Sequence, residues 1–184
     1  MPDFFALFCT VDQRASYINA LLEHAEEHSV KSGNNFCLIE SPDQKRVNKP
    51  TGRPVSDFKT GFAGWSIDQL GQFCKEKFDW RNPKSQAPYI ADDIFAVLDE
   101  RTLEDGTIVL AAYSPWRERI DPNDLNDDDE AFIEHKGFRT ARAPRNAAPD
   151  HLSDLPELDF NELIAHMKPE DNGVIRDEEY DRGK

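Results

Sequence analysis

Four short runs of this chain are apolar in both of their alternating sets, and that pattern decides most of what it can fold into. In "DFFALFCTV", residues 3–11, Phe4, Ala6 and Phe8 make one set and Phe5, Leu7 and Cys9 the other. "FCLIE" at 36–40 and the segments 94–99 and 107–113 share the property. A strand with one apolar face can leave its other face wet, but a strand apolar on both must be covered on both.

The covering layers are legible between the runs. Ile18, Leu21, Leu22 and Ala25 recur at helical spacing after the first run. Asp12 is placed to cap that helix and "KSGNN" to stop it. A strand, a helix and a strand in succession predict a parallel pair joined by a right-handed crossover. "SIDQ" at 66–69 has the spacing of a capping box, followed by a helix face of Ile67, Leu70, Phe73 and Cys74. Asp105-Gly106 offers the positive-φ turn that would fold 94–99 and 107–113 into a hairpin. "GFRTARAP" at 137–144 reads as a further edge strand, and "LDFNELIAHM" at 158–167 as a last helix with Phe160, Leu163, Ile164 and Met167 on its face.

The expected fold is therefore α/β, with a mixed central sheet, helices on both faces and the order βαβαββ(β)α. That order resembles a thioredoxin-like topology, and Pro88 before the third strand would suit it. The redox CxxC is missing, so thioredoxin chemistry does not follow. A length of 184 residues fits one domain, read here as 1–176 with a frayed tail at 177–184. Two segments interrupt the pattern. Residues 41–64 are rich in Pro, Gly and polar side chains and carry Lys45, Arg46, Lys49, Arg53 and Lys59, which reads as a basic loop insertion. "DPNDLNDDDE" at 121–130 is an acidic loop. Composition predicts that these two segments are the most mobile internal ones.

Lys and Arg total 22 against 36 Asp and Glu, a formal charge of −14. Such a chain repels nucleic acid and anionic membranes, and no apolar run reaches the ~20 residues of a membrane span. The start, "MPDFFALFCTV", lacks the basic segment and cleavage site of a signal peptide. Cys9, Cys37 and Cys74 lie in apolar patterns without CxxC spacing, as reduced core thiols of a cytoplasmic protein would.

Three motifs invite chemistry and are better explained without it. His24 and His28 in "HAEEH" share a helix side, but Ala25 stands where the zinc-protease pattern needs Glu, and no third ligand is evident. The acidic run has neither the turn glycine nor the closing Glu of a calcium loop in either register beginning at Asp121 or Asp124. Cys9 ends a strand where nucleophiles often sit, yet nothing marks one of the five histidines as its partner. No metal and no cofactor is expected.

The remaining cluster is "LDERT" at 98–102. Asp99 and Thr102 prefer loop geometry and bond nearby backbone amides. Arg139, in "GFRT", carries a charge that it cannot lose, and Asp99 is the carboxylate expected to pair with it. Asp99, Thr102 and Arg139 are thus candidate ligand or partner residues, with Lys45, Arg46, Lys49 and Arg53 as a docking alternative for an acidic partner or phosphate.

From the hairpin onward the chain resembles a small bacterial and fungal domain family of unknown function. The resembling residues are Asp99 and Thr102, Phe138 and Arg139, Leu152-Ser153, Asp159-Phe160 with Glu162, and Gly173 with Arg176. The resemblance covers the C-terminal half and implies a shared fold without an activity, substrate or cofactor. The expected function is a non-enzymatic binding or regulatory domain for another protein or a small ligand. The alternatives are a small hydrolase or transferase acting at the hairpin end, and an immunity-type inhibitor of a basic partner.

Overall fold

The computed structural model describes residues 4–28, 33–45, 47, 49–79, 81, 85, 87, 89–119, 132–155 and 174–175. Its elements run β1 (Phe4–Cys9), α1 (Ala15–His28), β2 (Phe36–Ile39), α2 (Ile67–Phe78), β3 (Ile90–Leu98), α3 (Glu100–Asp105), β4 (Thr107–Arg119), β5 (Phe132–Pro144) and α4 (Ala148–Asp154). They form one five-stranded mixed sheet in the order β2-β1-β3-β4-β5. β1 is parallel to both β2 and β3, while β4 and β5 reverse as an antiparallel ribbon. The fold is α/β with a mixed sheet, as the patterning requires; β3 lies parallel to β1, and β4 returns antiparallel beside it.

Both faces are covered. Leu7, Leu38, Ala96 and Leu110 pack beneath α1 and α4, against Leu21, Leu22 and Leu152. Phe8, Ile39, Phe95 and Val109 pack on the other face against Leu70, Cys74 and Phe78 of α2. Ser66 and Gln69 close the expected capping box at the start of α2. That helix lies so close to β5 that a Cβ on Gly71 would fall 2.0 Å from the Phe138 ring. All three cysteines are buried and free of disulfides, as expected.

Several expectations change. The hairpin joint is not a tight turn but the short helix α3, which Gly106 ends in the left-handed conformation at φ 73°. β4 and β5 pair from Thr107↔Pro144 to Arg119↔Phe132, well beyond the expected 107–113 and 137–144. The acidic run 121–130, the helix expected at 158–167 and the tail at 177–184 lie outside the described residues. Pro88, Gly173 and Arg176 do so as well.

The described residues of the basic segment hold no helix or strand and run as a strap around the β2 edge. Val47 and Phe62 are buried on the α2 face and Val55 on the α1 face. Along the edge, Thr51 donates its amide to the Phe36 carbonyl (2.8 Å), and the Thr51 hydroxyl accepts from the Leu38 amide (2.8 Å). Gln44 takes the Glu40 amide and donates to the Leu38 carbonyl, and the Gly61 amide reaches the Glu40 carbonyl. Backbone groups that an edge strand would otherwise expose are thereby paired. The segment's few apolar residues are scattered in sequence, and the sheet edge brings them to the cores of both faces.

Candidate functional site

The parallel strands end together, and the polar side chains gather at that carboxyl edge. α3 starts where β3 stops. Asp99, extended at the N-cap, accepts the Thr102 amide on Oδ1 (3.0 Å), and the buried Thr102 hydroxyl accepts the Asp99 amide (3.0 Å). Thr102 also donates its hydroxyl to Oδ1 (3.1 Å). The second carboxylate oxygen of Asp99 receives the Arg142 guanidinium. Arg142 further donates to the Thr107 hydroxyl (3.0 Å), which donates to Asp105 (2.6 Å), and Asp105 accepts Arg101 on its other oxygen (2.7 Å). Among the described residues, these contacts join two carboxylates and two guanidiniums in one network.

Arg139 is not the partner of Asp99. It faces Ala112 across the ribbon, whereas Arg142 faces Val109. Three residues along a strand is about 10 Å and a change of face. The extended β4–β5 register, which local sequence does not display, selects Arg142.

The docking alternative also changes. Arg53 closes on Glu23 (2.5 Å) and Glu26 (2.8 Å) of α1, so its charge is used within the chain. Lys45 and Lys49 are exposed, and Arg46 lies outside the described residues. The strap instead supplies the cap of α1. Asp57 accepts the Ala15 amide (3.0 Å), while Asp12, the expected cap, accepts the Thr60 amide (3.1 Å). Thr60 and Gly64 donate to the carbonyls of Cys9 (2.5 Å) and Thr10 (3.0 Å) at the end of β1.

Gln13, buried between the ends of β1 and β3, was not legible as a site residue. Its Nε2 donates to the Asp99 carbonyl (3.3 Å), and its buried Oε1 has no hydrogen-bond partner among the described residues. Tyr17 donates its hydroxyl to the Gly106 carbonyl (3.1 Å), and burial raises its pKa against the pull of Arg145, with Asp105 adding to the rise.

Burial pushes the Cys9 thiol up to about 12, assisted by Glu40 and Asp12, and pushes Cys37 up to about 12. Cys74 is raised well above its ordinary value by burial and then by Asp92 and Asp93. None of these thiols is poised as a thiolate near neutrality. His24 sits 2.8 Å from the Asn146 carbonyl. Among the described residues, no group of three or more His, Cys, Asp or Glu is placed to hold a metal ion, and no helix is long and apolar enough to cross a membrane.

Fold and edge together define a mixed-sheet α/β domain with a cluster of paired charges at the carboxyl edge of its parallel strands. Comparison with protein-family models, curated proteins and solved structures returns no match.

Proposed function

We propose that the chain is a cytoplasmic binding or regulatory domain without catalytic activity, which meets a protein or small ligand at the carboxyl edge of its parallel strands. The observation that carries this reading is the commitment of Asp99 and Asp105 to Arg142, Arg101 and Thr107 within the chain. A general acid or base must exchange its proton with a substrate, and carboxylates paired with guanidiniums are clamps before they are catalysts. The high thiol pKa values support the same reading against a hydrolase or transferase built on cysteine. Buried reduced thiols suit the cytoplasm. Kinship with the small domain family belongs to this proposal, since Asp99 and Thr102 are the capping pair of α3. Inhibition of a basic partner is a special case that the charge of −14 favours.

The test uses Leu103, exposed on α3, and Tyr89, exposed just before β3 at the opposite edge. Leu103→Asp is expected to abolish capture of a partner that wild type and Tyr89→Ser both retain. Equal capture by all three would move the interface elsewhere. Turnover of an ester or phosphoester by wild type, lost in a folded Asp99→Asn variant, would replace the proposal with an enzyme.

A further inference from the structure

We draw no further inference here: the strongest candidate, the outer edge of β5, where among the described residues Arg142 is bridged by Val174, carries no proposal because nothing in the structure shows what covers the rest of it.

Discussion

Oδ1 of Asp99 is committed to the first turn of α3 and Oδ2 to Arg142, with the Asp99 side chain 29% and the Arg142 side chain 14% exposed. Removing Asp99 therefore deletes an N-cap and leaves the Arg142 guanidinium, among the described residues, with the Thr107 hydroxyl as its partner. Asp99→Ala is expected to cost about 2–4 kcal/mol, more than a cap alone and less than a fully buried ion pair. In a urea-unfolding cycle, Asp99→Ala and Arg142→Ala should couple by roughly 1–2 kcal/mol. Asp99→Ala and Arg139→Ala should add within error, and coupling there would contradict the register. Asp105 carries a signed pH effect. Burial works to raise its pKa, but the Thr107 hydroxyl and amide and the Arg101 guanidinium hold it below its ordinary value. A carboxylate depressed on folding contributes stability that is present above its unfolded pKa of about 3.9 and is lost as pH falls through the folded one. Melting temperatures measured below about pH 4 should thus fall less steeply for Asp105→Asn than for wild type.

At the scale of elements, the strap and α1 stabilise each other. Asp57 caps α1, Asn19 and the Val55 backbone exchange two hydrogen bonds (2.7 and 3.0 Å), and Arg53 reaches two glutamates of that helix. Hydrogen exchange should find the amides of Thr51, Val55, Gly61 and Gly64 protected, because each donates within the chain. Rapid exchange at all four would restore the mobile-loop expectation. Asp57→Ala should cost about 1 kcal/mol and Asp12→Ala less, since only the former uncaps a helix. Gly71 marks a second contact between elements, where α2 meets Phe138 on β5. Gly71→Ala is expected to lose about 1–3 kcal/mol through overpacking despite the better helix propensity of alanine. Phe138→Leu should recover part of that loss, and an additive pair would refute the steric cause.

For the whole molecule, the apolar patterning of the strands requires two covered faces, and a sheet with helices on both is what forms. Complete burial of the three cysteines is a property of this layering. In the native protein, all three should react with a thiol reagent orders of magnitude more slowly than in urea. Fast native labelling of Cys9 would show that the carboxyl edge opens.

The sequence by itself determined what depends on neighbours along the chain. Alternation named β1, β2 and the paired cores of β3 and β4, helical spacing named α1 and α2, and the Ser66–Gln69 spacing placed the start of α2. Those signals arise within a few residues, where backbone geometry fixes which side chains share a face. The tertiary structure alone decided which distant groups meet. Arg142 rather than Arg139 reaches Asp99, Asp57 rather than Asp12 caps α1, and the basic segment binds the β2 edge. Gln13 reaches the Asp99 carbonyl because β1 and β3 end side by side. A strand's register sets the partner of every side chain upon it, and a slip of one residue moves them all to the other face. That register is settled by packing across the sheet, so the pairings at this edge could not be read from the residues that make them.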